Sequence, residues 1–295
     1  MLPHQAAAAP VTQLVDSPTM LEDLLRGMDV IQDSRDRKGN YAHVSDLVHD
    51  FCPRRSVLMV RHDLESKRAI RSADRVLWAL GRGIEAHVRN TLIRSLNYSG
   101  IVGNWSCPCG ALRSLGFHDS RNCSRCGSIM TTYDEVDLED GDALVTGHPD
   151  LLFTVRRGLQ VLEIKSLKQR AAAGPGDFCF ENFAKGQQAS PDHVLQAASY
   201  RRMLLKAPTT PISPVVSIIY VSKDYQFVGS PYKEFHINVD SPVIDNSLDS
   251  IWAQAVARRD NLAAKTIPAR LPACIAPSVP MAKKCEACAS CFSVA

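Results

Sequence analysis

The chain of 295 residues predicts an α/β domain on a mixed sheet, decorated in the middle and at both ends. Three observations lead to that class. Segments of helical and strand periodicity follow one another as helices, insert, strand hairpin, helix, strands, helix. Apolar residues make up 45% of the chain and charged residues 22%, enough to bury a sizeable core. The ten cysteines are spread unevenly. Cys107, Cys109, Cys123 and Cys126 lie mid-chain, Cys274, Cys285, Cys288 and Cys291 lie near the end, and Cys52 and Cys179 stand alone.

In order, residues 1–18 have neither the basic start nor the long apolar stretch of a signal peptide and read as a disordered lead. The domain proper is expected over 19–265, with a Pro- and Cys-rich tail over 266–295. Helical spacing begins near Thr19, where Leu21, Leu24, Leu25 and Met28 share a face. A second helix, Val44 to Phe51, is expected to stop at Cys52-Pro53. Asp74 caps a long helix to about Leu96, with Leu77, Leu80, Ile84, Val88 and Leu92 on its apolar face. Gly81 and Gly83 interrupt that helix and predict close packing against another element. Residues 101–130, rich in Gly, Ser, Asn and Cys, read as an insert without a core of its own.

Strands follow at Thr131–Val136, at Ala143–Val155 (bent near Gly147-His148-Pro149) and at Leu159–Ile164, with Arg156-Arg157-Gly158 as the hairpin turn. Lys168 to Ser190 reads as a loop, and Pro191 opens a helix to about Leu205. Val215–Val221 and Glu234–Val239 read as strands and Asp240–Ala264 as a long helix.

Net charge is +3, too small to indicate nucleic acid without local patches. No apolar run approaches the roughly 18–20 residues that span a bilayer. The expected setting is a reducing cytoplasm without membrane association, where clustered cysteines hold metal more often than they form disulfides. Cys107-Pro-Cys109-Gly and Cys123-Ser-Arg-Cys126-Gly are two short turns suited to tetrahedral zinc through four sulfurs. Zinc would then supply the folding energy the insert lacks. His118 is a less well placed substitute. Arg113, Arg121 and Arg125 around this knuckle either touch nucleic acid or serve a structural staple.

Two segments carry chemistry of another kind. Gly147-His148-Pro149-Asp150 and Glu163-Ile164-Lys165 fall on adjacent strands. Residues i and i+2 of a strand share a face, so Glu163 and Lys165 point together and Asp150 reaches the same point across the hairpin. Two carboxylates suit Mg²⁺ or Mn²⁺, hard ions that prefer oxygen. Such an ion activates water and stabilises charge on phosphorus, while a lysine positions or deprotonates that water or offsets the charge. The E-x-K triplet alone is common. Val161, Leu162 and Ile164 make this strand largely buried, where Glu and Lys are seldom found without a purpose.

On these residues the chain resembles the RecB-like branch of the PD-(D/E)XK nucleases. The resemblance covers about residues 44–205 and implies a restriction-endonuclease-like core. It extends to Gly83-Ile84-Glu85-Ala86-His87, which matches the family's G-x-x-x-H and makes His87 an additional metal ligand beside Asp150, Glu163 and the Ile164 carbonyl. Gln196-Ala197-Ala198-Ser199-Tyr200 matches Q-x-x-x-Y, whose i, i+4 spacing lets Gln196 and Tyr200 touch DNA or Lys165. Cys52-Pro53-Arg54-Arg55 is similar to the start of the iron–sulfur members, the CRISPR-associated and AddB-type exonucleases. There, one early and three late cysteines hold a [4Fe–4S] cluster. That implies Cys52, Cys274, Cys285 and Cys291 here, with Cys288 as the alternative fourth ligand; zinc held by the tail's own four cysteines is a competing reading.

The resemblance implies a metal-dependent DNA exonuclease acting on single-stranded or end-containing DNA. It would act in recombination or DNA processing in a bacterial or phage-infected cell, with recombination or CRISPR-type protein partners. A non-catalytic zinc-containing nucleic-acid adaptor and an endonuclease of the same fold are the rivals. Arg54, Arg55, Arg61, Arg68, Arg71, Arg75, Lys165, Lys168, Arg170, Arg201 and Arg202 are scattered candidates for phosphate contact. Phe178, Phe180 and Phe183 stack on bases or pack in the core.

Overall fold

The computed structural model describes residues 39–49, 51–62, 72–96, 100–116, 119–168, 179–186, 188–206, 210–224, 230–283, 285 and 287–293. The lead at 1–18, the helix expected near Thr19, His118 and Phe178 fall outside them. So do the side chains of Arg68, Arg71, Asp74, Arg75 and Arg170.

The chain begins with a short strand, β1 (Ala42–His43), and a one-turn helix, α1 (Val44–Val48). Helix α2 (Pro53–Arg61) follows, and Cys52 is its N-cap, with Sγ accepting from the Arg55 amide at 3.4 Å. Pro53 therefore opens a helix rather than closing one. Its missing N–H costs nothing at the first helical position, and its fixed φ is already helical. Helix α3 (Ser72–Ser95) has the expected extent. Gly81 lets it lie close to the sheet: a methyl there would sit 2.9 Å from Lys223 Nζ and 3.0 Å from Ser166 Oγ. Gly83 faces open space, and Leu80 is exposed rather than part of the buried stripe.

The segment expected to be a coreless insert instead carries part of the sheet. β2 (Ile101–Ser106) pairs antiparallel with β7 (Leu151–Val155), β3 (Leu112–Leu115) and β4 (Thr132–Asp134). Trp105, Leu115, Met130 and Tyr133 are buried there, next to Ile101, Leu151 and Ile164. The segment expected as one bent strand is two strands. β5 (Leu138–Asp140) and β6 (Val145–Gly147) join β1 in a separate three-stranded sheet, while β7 belongs to the main one.

β8 (Gly158–Leu167) forms the predicted hairpin with β7, then runs parallel to β9 (Val215–Ser222). The crossover between them contains a one-and-a-half-turn helix, α4 (Phe180–Lys185), within the expected loop, and α5 (Pro191–Leu205) at its predicted bounds. β10 (Tyr232–Asn238) closes the far edge, and α6 (Pro242–Ala263) is capped by the Ser241 hydroxyl. The tail, expected without periodicity, holds two short helices, α7 (Pro280–Lys283) and α8 (Cys288–Ser293).

The main sheet runs β10-β9-β8-β7-β2-β3, with β4 also on β2, and β8–β9 is its parallel pair. It is a mixed sheet in an α/β fold. β8 is buried on both faces. Leu159 and Val161 join a cluster with Ala197, Tyr200, Met203 and Trp252 of α5 and α6. Leu162 and Ile164 join the opposite cluster with Val88 and Ile93 of α3. Full burial of each such side chain stabilises by about 1.5–3 kcal/mol. No helix among the described residues is long and apolar enough to cross a membrane.

Candidate active site and metal centre

The β7–β8 ladder pairs Leu151 with Leu162, so one step further Asp150 comes level with Glu163. Asp150 Oδ2 accepts from the Ile164 amide at 2.7 Å, fixing the carboxylate where the ladder ends. Glu163 is 1% exposed, and its Oε1 is buried without a hydrogen bond. Lys165 Nζ stands 3.6 Å from that oxygen. Burial, opposed by Lys165 and reinforced by the Asp150 charge, pushes the Glu163 carboxyl well above the usual carboxylate range. Burial alone would lower Lys165, but the charges of Glu163, Asp150 and Glu85 outweigh it and raise the ammonium's pKa. Ile164 points its side chain into the opposite cluster, as period-2 alternation requires.

The structure does not bring His87 to these carboxylates; it is exposed. Two residues along a helix are roughly 200° apart, and Glu85 occupies the inward face instead. Glu85 Oε1 accepts from Ser166 N at 3.1 Å and from Ser166 Oγ at 2.7 Å. Burial raises its pKa against the Ser166 hydrogen bonds, and the Asp150 and Lys165 charges act on it too. Gly81, Glu85, Val88 and Leu92 follow one another at i, i+4, i+7 and i+11, a single stripe of the helix, and that phase was the signal that could have found Glu85.

Gln196 and Tyr200 are buried on α5, and Gln196 Nε2 donates to Tyr200 Oη at 2.9 Å. Burial, with the Glu163 charge next in size, raises the Tyr200 hydroxyl well above its usual range, so this pair stands near the carboxylates. A methyl on Gly147 would overlap the Tyr200 ring, which explains the glycine in the turn before Asp150.

Sequence reasoning missed two further neighbours. His193 Nδ1 bonds Tyr220 Oη at 2.9 Å, and Tyr220 is the ladder partner of Lys165. Burial and then the Lys165 charge bring His193 down to about 3, so it is neutral. His148, just before Pro149-Asp150, bonds Asp137 at 2.7 Å and His43 at 3.3 Å.

The mid-chain cysteines do converge. Cys107 and Cys126 sulfurs are 3.4 Å apart, Cys109 and Cys123 sulfurs 3.6 Å, and all four lie within 4.8 Å of one another. Four sulfurs at about 2.3 Å from a tetrahedral zinc would be about 3.8 Å apart. Each turn closes on a glycine in the left-handed region, Gly110 at φ +84° and Gly127 at φ +74°. Their amides return to the carbonyls of Cys107 and Cys123. Hydrogen bonds from Ser128 bring the Cys126 thiol down to about 6, favouring the thiolate a metal needs. These four cysteines can hold a metal ion.

Cys52, Cys274, Cys285, Cys288 and Cys291 line one cavity with Arg54, Arg55 and Arg270. All five candidate cysteines thus line one cavity where the tail returns to α2.

The arginines of the knuckle are engaged within it. Arg113 reaches the Ser120 carbonyl, Arg125 the Cys109 carbonyl, and Arg121 the Met130 carbonyl, with its guanidinium over Trp105. Arg54 is buried against the tail, Arg201 holds Ser213 and Asp240, and Arg202 holds Asp249 over the Trp252 ring. Arg55, Arg61 and Lys168 remain exposed. Phe180 is a buried core residue, and half-buried Phe183 packs against that core with its ring stacked on Tyr220, centroids 4.4 Å apart.

No protein-family model matches the chain, and no curated protein does. Among solved structures it is similar to the crystal structure of SSO0001, with a TM-score of 0.41 and 14% identity over 85% of this chain and 89% of that one.

Proposed function

We propose that the chain is a divalent-metal-dependent deoxyribonuclease of the RecB-like PD-(D/E)XK kind, degrading single-stranded or end-containing DNA in recombination or DNA processing. One observation carries the reading: Glu163 is fully buried, its Oε1 without a hydrogen bond and facing the Lys165 ammonium at 3.6 Å, with the Asp150 carboxylate alongside. Two neighbouring carboxylates sharing one lysine are under-compensated, a cost that persists where a further cation completes the set. Asp150, Glu163 and the Ile164 carbonyl would hold Mg²⁺ or Mn²⁺. When bound, the ion supplies an activated water and Lewis acidity toward the phosphate.

Lys165, kept as an ammonium by three carboxylates, offsets the charge that builds on phosphorus rather than taking a proton. Gln196 and Tyr200, joined by a hydrogen bond, would orient the substrate or Lys165. Zinc on Cys107, Cys109, Cys123 and Cys126 holds the knuckle. A [4Fe–4S] cluster on four of the five cysteines lining the tail cavity clasps the tail to α2.

The test is cleavage of end-labelled linear and closed circular single-stranded DNA with Mn²⁺. Loss of the linear form alone is the expected result. Cutting of circles assigns an endonuclease instead. No cleavage of either, with Glu163→Ala binding DNA as wild type does, assigns a non-catalytic adaptor.

A further inference from the structure

We infer that Arg54 is a latch that seats Cys291 at the five-cysteine cavity before any metal arrives, and that it then hydrogen-bonds a cluster-ligating sulfur. The inference rests on the iron–sulfur reading for its second half and on geometry for its first. Arg54 is 5% exposed, rare for a guanidinium, and all its nitrogens reach the tail. Nε donates to Cys291 Sγ at 3.2 Å, Nη2 to the Cys291 carbonyl at 2.9 Å and Nη1 to the Pro268 carbonyl at 2.8 Å. One planar fork thus spans both ends of the tail, a geometry Lys cannot copy with a single ammonium.

Arg54 lies two residues after Cys52 and in the first turn of α2, so the same turn presents one sulfur and grips another. Arg270 adds two bonds to the Cys291 carbonyl, at 3.2 and 3.1 Å. Of five sulfurs competing for four positions, Cys291 is therefore held in place by protein contacts. An N–H bond to a ligating sulfur stabilises the reduced, more negative cluster and raises its potential.

The experiment compares wild type, Arg54→Lys, Arg54→Ala and Arg270→Lys, each purified anaerobically and each also stripped of metal. Tail cleavage by trypsin is followed in the stripped proteins, and the reduction potential is read in the iron-loaded ones. We expect at least tenfold faster tail cleavage for both Arg54 variants without metal. We also expect a more negative potential for iron-loaded Arg54→Lys, and an unmoved potential for Arg270→Lys. Wild-type cleavage rates in the stripped Arg54 variants overturn the latch. An unchanged potential in Arg54→Lys overturns the sulfur contact. Wild type that binds no iron overturns the cluster half, and the cleavage comparison still decides the latch.

Discussion

Replacing Glu163 by Gln tests whether this buried carboxylate is kept for a cation. Its side chain is 2% exposed and its Oε1 has no hydrogen bond. Burial raises its pKa above the ordinary 4.5. A carboxyl with a raised folded pKa keeps its proton longer in the folded chain than in the unfolded one. Below pH about 4.5 both states are protonated and the group costs nothing. Above that, the unfolded state ionises first, so stability falls as pH rises, by up to about 1.4 kcal/mol per pH unit, until the folded pKa is passed.

Glutamine carries no such cost. Both side chains place a polar atom in the same buried position, but a charged one costs more than a neutral one, by on the order of 1–3 kcal/mol, which sets the size of the gain. At roughly 2–4 °C per kcal/mol, metal-free Glu163→Gln should melt on the order of 2–10 °C above wild type at pH 8, the gap closing toward pH 5. Lys165 stays compensated in the variant because Asp150 and Glu85 also hold its charge. Scanning calorimetry in Mg²⁺- and Mn²⁺-free buffer measures the gap. Adding Mn²⁺ at about 100 times its Kd should stabilise wild type by about 2.7 kcal/mol and the variant not at all. Equal melting at pH 8, or a preserved Mn²⁺ shift in the variant, refutes the reasoning.

Four other outcomes are expected. Tyr200→Phe strips the Gln196 amide of its acceptor and should cost about 1–3 kcal/mol in urea unfolding, with slower cleavage. Asp140 is buried, and Lys206 at 2.5 Å and the Trp252 indole at 2.6 Å overcome burial to lower its pKa. Its stabilisation is present above pH about 3.8 and lost as pH falls through the lower folded value, so Asp140→Asn should flatten acid unfolding in that window. Cys123→Ser should release zinc and red-shift emission from Trp105, which is 1% exposed beside the knuckle. Cys291→Ser should lose the iron chromophore while Cys288→Ser keeps it, as read by absorption of anaerobically purified protein.

What was legible in the sequence was what is decided locally. The α5 bounds follow from Pro191 at the first helical position, and the β7–β8 hairpin from its apolar runs and turn residues. Asp150, Glu163 and Lys165 meet because strand alternation and a short turn leave them no other arrangement. β2 was not legible, since a segment with Gly103 and Asn104 gains its strand from pairing with β3 and β4, and at its first two residues with β7 some fifty positions later. Glu85 was hidden because motif spacing favoured His87, whereas the phase of α3 decided which side chain turned inward. Pro53 fits a helix stop and a helix start equally, and only the Cys52 cap separates them.

Single-turnover hydrolysis of 5′- and 3′-labelled linear single-stranded DNA with Mn²⁺ tests the nuclease assignment most directly. Wild type, Glu163→Gln and Lys165→Met are compared on equal, metal-analysed protein. The account predicts stepwise shortening by wild type, none without divalent metal, and a loss of at least a hundredfold in both variants with DNA binding retained. Hydrolysis at the wild-type rate by Glu163→Gln would contradict it.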